Sequence, residues 1–326
     1  MGYFRNFFLW RKKEILFFFI LIFFAVYITV DSSVSVAFID GVKLWFYTLL
    51  PTLFPYAIIT TLLSGLSTTD KVGLKLNPLT KKLFRVNGRV FLPFFIGVIS
   101  GHPSGVKTVC DLKGANRFTL SESVRASILC SMSSPVFLIS CIGKITFQNY
   151  LFGVCLFLSN FLSAITLGLI FSRYKKDELP TKIDRESLIK PINFADGVSS
   201  STLSVIYAGG FIVLFYMLTE ILIDLKILTP LIKLFSFVFG DELVAKGFVT
   251  GILESTKGFK ILSETNSLLA LPLSAFITGL SGMSMICQSV AFMKSAKIKT
   301  APFILSKIIS AVLCTIYSVI FSLLFF

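Results

Sequence analysis

The sequence predicts an all-α polytopic membrane protein of about seven transmembrane helices plus two re-entrant hairpins in an inverted repeat, and three observations predict it. Seven apolar runs are long enough to cross a bilayer, basic clusters fall between them on alternate sides, and short motifs recur in the same order in two halves of the chain. The composition agrees. Of 326 residues, 55% are hydrophobic and 15% charged, where a soluble domain carries about 25% charged residues.

A bilayer core of about 30 Å needs about 20 apolar residues in a helix, and the runs 14–30, 44–66, 126–143, 150–171, 202–224, 268–292 and 301–325 meet that length. Segments 91–111 and 242–263 are apolar as well, but Gly-His-Pro-Ser-Gly and Glu-Ser-Thr-Lys-Gly interrupt them halfway. Glycine, proline and charge in mid-membrane break a straight span, so both segments are expected to enter and leave on one side. Irregular backbone at that depth is tolerated only when packed in protein or lining a wet cavity. The first run, preceded by Arg5, Arg11, Lys12 and Lys13, also reads as a signal peptide with a weak small-x-small site at Ser35-Val36-Ala37.

Charge sets the orientation. With the N-terminal end inside, Lys81, Lys82, Arg85 and Arg89, then Arg173, Lys175 and Lys176, then Lys294, Lys297 and Lys299 all fall on the inner side. The net charge of +14 is thereby accounted for by loops, and nucleic-acid binding is excluded as its cause. The six cysteines are scattered and the chain has one histidine, so neither a metal site nor any cofactor is expected. With no G-x-G-x-x-G, Walker, H-E-x-x-H or G-x-S-x-G sequence, the chain reads as no enzyme.

The repeat pairs Phe38-Ile39-Asp40-Gly41-Val42 with Phe194-Ala195-Asp196-Gly197-Val198. It then pairs Leu76-Asn77-Pro78-Leu79 with Leu228-Thr229-Pro230-Leu231, each expected to open a short amphipathic stretch, and Gly105-Val106-Lys107 with Gly258-Phe259-Lys260. The chain divides into an N-terminal helix and linker (1–37), repeat one (38–172, hairpin 91–111), a basic cytoplasmic linker (173–193) and repeat two (194–326, hairpin 242–263). Three crossings per repeat would invert the second copy, bringing the two hairpin tips together from opposite sides as in secondary transporters.

The candidate binding residues lie at the interruptions. In hairpin one they are Gly101, His102, Ser104, Gly105 and Lys107: Ser104 as a cap, Lys107 as an anion-binding charge or a snorkelling ion pair, His102 as a proton site or turn filler. In hairpin two they are Glu254, Ser255 and Thr256, with Glu254 either a coupling-ion site or the partner of Lys257 or Lys260. Two spans are interrupted as well, at Ser131–Pro135, with Ser133 and Ser134, and at Ser281–Ser284, with Gln288 one turn on. Their hydroxyls either ligate a polar solute or permit close helix packing. Asn160 is expected to bond between helices.

The Gly101–Lys107 and Glu254–Gly258 segments and Gly279-Leu280-Ser281-Gly282-Met283-Ser284-Met285-Ile286-Cys287-Gln288 resemble the G-Y-P-x-G-A-K, E-x-T-x-G and G-G-x-S-x-x-x-Q motifs of sporulation integral membrane proteins of the YlbJ (SpoVV) type. That family carries the nucleoside-recognition, or gate, domain. The departures are His102 for tyrosine, Met285-Ile286 where valine and histidine are common, and a short loop between the halves. The resemblance implies a carrier of dipicolinic acid across the outer forespore membrane, with a small anionic solute and the lipid bilayer as partners. Nucleoside or ion transport and a non-transporting scaffold are the alternatives, and a homo-oligomer or partner membrane protein stays open.

Overall fold

The computed structural model describes residues 22, 26, 27, 29, 32–175 and 193–325. The run 14–30 and the middle of the basic linker fall almost wholly outside them. The described residues form helices joined by short turns. The first half runs α1 (Ser32–Lys43), a π-helical segment (Leu44–Leu49), α2 (Leu50–Ser64), α3 (Ser67–Phe84), α4 (Phe91–Ser100), α5 (Ser104–Gly114), α6 (Leu120–Leu129), the π-helical α7 (Val136–Thr146) and α8 (Tyr150–Phe171). The second half runs α9 (Phe194–Asp224), α10 (Thr229–Phe239), α11 (Glu242–Leu253), α12 (Ser255–Ser263), α13 (Ala270–Leu280), α14 (Gly282–Ser295) and α15 (Ala301–Phe325).

Among the described residues, four helices are long and apolar enough to span a membrane: Tyr150–Phe171, Phe194–Asp224, Ala270–Ser295 and Ala301–Phe325. The number rises to six if two bent pairs count as one span each, Ser32–Leu49 with Leu53–Leu63, bent by 57°, and Lys71–Phe84 with Gly88–Ser100, bent by 96°. The expected seven are not reached. One run lies outside the described residues, and run 126–143 divides into α6 and α7 around Ser131–Ser134.

Helix α15 is inside out relative to a water-soluble helix. Its exposed face carries Ile304, Leu305, Ile308, Val312, Ile316 and Val319, while Ser306, Lys307, Ser310, Cys314 and Ser318 are buried. In water the polar stripe faces outward. The reversed order suits hydrocarbon outside and a polar interior.

Each half has a similar order of elements: a first helical segment, bent by 57° in the first half and continuous in the second, an amphipathic helix, two helix pairs with a break, and a long last helix. Contacts between halves come in reciprocal pairs. Helix α5 packs on α14 and α12 on α7; α8 packs on α13 and α15 on α6; the last helices α8 and α15 pack on each other, as the first helices α1 and α2 do on α9. The hairpin arms meet at matched glycines. A Cβ on Gly105 would sit 2.9 Å from Gly97 Cα, and one on Gly258 would collide with Gly251 Cα.

Local signals set the helix starts. Thr119 and Glu122 form a capping box at α6, Asn149 caps α8, Asn193 caps α9 and Asp241 caps α11. The motif Leu228–Leu231 opens α10, but its counterpart Leu76–Leu79 lies inside α3, with Pro78 in mid-helix. The first amphipathic helix thus begins about two and a half turns earlier than the motif implied, at Ser67.

Candidate functional site

Four helix breaks lie at the centre of this architecture: α4–α5 at Gly101–Pro103, α6–α7 at Cys130–Pro135, α11–α12 at Glu254, and α13–α14 at Ser281. Two of them depend on glycine. Gly101 has φ +77°, and a side chain there would place Cβ 2.8 Å from Ser134 N. Gly282 has φ +61°, with Ser255 N 3.3 Å from a would-be Cβ. These positive angles favour glycine, and its missing side chain lets one break nest on the next.

The breaks are tied together by Lys307 of α15, which is 3% exposed. Its Nζ donates to Ser131 O at 2.9 Å and to Ser281 Oγ at 3.0 Å, and lies 3.0 Å from His102 Nε2. His102 Nε2 also lies 2.6 Å from Ser131 Oγ. One amine thus joins hairpin one, the break of the first half, the break of the second half and the last helix. Among the described residues it has no carboxylate within ion-pair distance. Next to it, Asn160 Oδ1 accepts from Ser133 N at 2.9 Å and Asn160 Nδ2 donates to Cys314 Sγ at 3.8 Å, an interhelical bond.

His102 is partly exposed and lines a cavity with Ser100 and Gly101 of hairpin one, Ser133 and Ser134 of the first break, and Gln288 of α14. Leu53, Phe137 and Ile212 supply part of its apolar wall. The cavity has a volume of about 40 Å³ and is walled by both halves of the chain. Small-molecule sites have this character, mostly apolar with a few convergent polar groups.

The sequence candidates divide into two places. Gly101, His102, Ser133, Ser134 and Gln288 line this cavity; Ser281 bonds Lys307, and Ser284 Oγ accepts from Gln288 Nε2 at 3.4 Å. Glu254, Ser255 and Thr256 do not line it. Thr256 lines a second pocket of about 280 Å³ with Lys260, Glu264 and residues of α7. Gly105 is buried against the Cys130 carbonyl and serves arm packing.

The geometry corrects one expectation and gives two other candidates their partners. Ser104 does not cap α5: the N-cap is Pro103, which offers no side-chain acceptor, and Ser104 Oγ instead faces Ser100 Oγ at 3.4 Å. Lys107 reaches away along α9, donating to Ser204 Oγ at 2.9 Å. Glu254 is the N-cap of α12, accepting from the backbone N of Lys257 at 2.8 Å and from the Thr256 hydroxyl, while the Lys257 ammonium pairs with Glu220 of α9. Glu254 Oε1 and Ser255 Oγ are buried with no partner among the described residues. Lys307, Ser131 as a ligand of His102, Ser100 and Glu220 were missed by sequence reasoning. A lone lysine and a lone glutamate inside apolar runs were the available signals.

These features define the class: a polytopic α-helical membrane protein whose interior polar groups collect at paired helix breaks. Sporulation integral membrane protein YlbJ of Bacillus subtilis (strain 168) is 26% identical over 306 residues, covering 85% of this chain and 74% of that protein. The chain resembles the YlbJ-type sporulation membrane proteins along most of its length. No family model matches it, and no solved structure matches it.

Proposed function

We propose that the chain is a carrier for a small anionic solute, working by alternating access between two opposed hairpins, with dipicolinic acid as the solute and the outer forespore membrane as its place. One observation carries the reading. A cavity walled by both halves is lined by the polar tip of hairpin one, and the cation of Lys307 stands directly behind it. A helix-lined cavity at a repeat interface, flanked by discontinuous helices, is the arrangement secondary transporters use to hold solute. The reciprocal contacts between halves support a two-fold relation, which three crossings per half would make an inversion. At about 40 Å³ the cavity has room for only a few waters, so a flat dicarboxylate would enter as the breaks move apart, its ring against the apolar walls and its carboxylates toward Ser133, Ser134, Gln288 and His102. Neither cofactor nor catalytic group enters this function; its partners are the solute and the bilayer.

The test is uptake of labelled dipicolinate into proteoliposomes. Protein-dependent flux is expected, unaffected by uridine and lowered at least tenfold by Lys307→Ala. Flux equal to that of protein-free liposomes rejects the carrier. Competition by uridine and not by dicarboxylates would transfer the reading to nucleosides.

A further inference from the structure

We propose that the ion coupled to solute movement is the proton, and that the Lys307–His102 pair is where it is taken up; this rests on the carrier reading above. An ammonium has three N–H donors, and Lys307 faces three acceptors: His102 Nε2 at 3.0 Å, Ser131 O at 2.9 Å and Ser281 Oγ at 3.0 Å. When Nε2 accepts from Lys307, the imidazole is neutral. The pair therefore holds one excess proton. A second would set two positive charges 3.0 Å apart in a buried cluster without a carboxylate.

The groups around the pair leave that balance to the solute. On α5, Lys107 is engaged by Ser204 of α9, and Asp111 is exposed. On α6, which packs on α5 and α15, Glu122 accepts from Asn87 and the Thr119 backbone, and Arg125 donates to Tyr174 O. On α12, Glu254 is engaged by Thr256 and the backbone of Lys257, and Lys257 by Glu220. On α9, Tyr216 lies under Lys257, and Tyr207 packs at a tilt against Phe292. The first break contributes the Cys130 thiol, and α15 contributes Cys314, bonded to Ser159 O and Asn160. The break at Ser281 contributes no charge. Among the described residues no negative charge thus stands next to Lys307 and His102, and the cavity that His102 lines is where a solute would supply it.

The step balances simply. One proton leaves a hydronium or buffer acid at the cavity mouth and forms an N–H bond on the imidazole as one carboxylate of the solute enters. Nε2 then can no longer accept from Lys307, and the ring turns from acceptor to donor toward Ser131 Oγ or the solute. Release of solute returns the proton to water on the other side.

The experiment uses the full chain, with dipicolinate as probe between pH 6 and 8, well above the ordinary carboxylate range. Calorimetry in buffers of different ionisation enthalpy should count one proton taken up per dipicolinate. Affinity should tighten about tenfold for each unit of pH lowered, the slope of one linked proton. In proteoliposomes loaded with a pH-sensitive dye, inward dipicolinate flux should acidify the lumen. His102→Gln, which keeps a polar side chain and cannot titrate, should bind with no proton uptake and no pH slope. Dipicolinate binding without proton uptake by the wild type overturns this inference and leaves the carrier standing. Uptake that persists in His102→Gln overturns the assignment to the pair. Absence of any dipicolinate binding overturns the carrier reading and this inference together. If His102→Gln does not fold, His102→Tyr, the residue usual at that place in the motif, decides the assignment by the same proton count.

Discussion

Removing Glu220 should destabilise the protein through the charge it leaves behind on Lys257. The Lys257 ammonium pairs with Glu220 and stands 4.7 Å from the centroid of the Tyr216 ring; its side chain is 9% exposed and that of Glu220 is 29%. Breaking a buried pair from one side costs ~3–5 kcal/mol, because the other charge stays uncompensated. Glu220→Leu strands the better-buried partner with a ring face worth about 1 kcal/mol, so ~3 kcal/mol is expected, at the low end because Glu220 is partly open to screening. Lys257→Met strands the more exposed carboxylate and should cost only about 1 kcal/mol. The double variant replaces the pair by apolar groups and should return to within ~1 kcal/mol of wild type. Thermal unfolding in detergent, followed by intrinsic fluorescence, measures all three. Additivity within ~0.5 kcal/mol would refute the pairing. The same cycle run between Lys257→Met and Glu254→Gln should give the smaller coupling, since Glu254 bonds the Lys257 backbone and not its ammonium.

Gly282→Ala should cost ~1–2 kcal/mol for a left-handed residue that is not glycine, and Gly101→Ala more, since its Cβ would also meet Ser134 N at 2.8 Å. Asn160→Ala leaves the Ser133 N–H without an acceptor and should cost ~1–3 kcal/mol by the same unfolding assay. For the inversion, single cysteines at Ala115 and Glu264, exposed at the bases of the two hairpins, should react with an impermeant maleimide from opposite faces of oriented vesicles; reaction from one face overturns it.

Hairpin two was legible because its break is written locally. Glu254 ends α11, turns in extended backbone and caps α12, all within four residues. The amphipathic start at Leu76–Leu79 was misplaced because proline in mid-helix looks like a first-turn proline, and only packing decides between them. The pairings were the least legible part. Lys307 meets His102 across 205 residues and Lys257 meets Glu220 across 37, so no window of sequence contains either contact. What the sequence did carry was periodicity. Ser306, Lys307, Ser310, Cys314 and Ser318 repeat at helical spacing inside an apolar run, marking a face turned toward protein and polar company.

The breaks have a physical reason to gather. Each one releases backbone N–H and C=O groups at a depth where water does not reach from the lipid side, and every group left unpaired there costs several kcal/mol. Two of these groups are satisfied across elements: Ser133 N by Asn160 and Ser131 O by Lys307. Lys257 N is satisfied by Glu254, within its own break. The two halves achieve this unequally. The first hairpin tip is tied through His102 Nε2 to Ser131 and Lys307 and leaves one buried atom, His102 Nδ1, without a partner among the described residues, whereas the second leaves two, Glu254 Oε1 and Ser255 Oγ. Buried unpaired oxygens raise the free energy of the conformation that holds them. Under the carrier reading, the second hairpin is therefore the element with more to gain by moving, and the first is the fixed wall against which the solute is held.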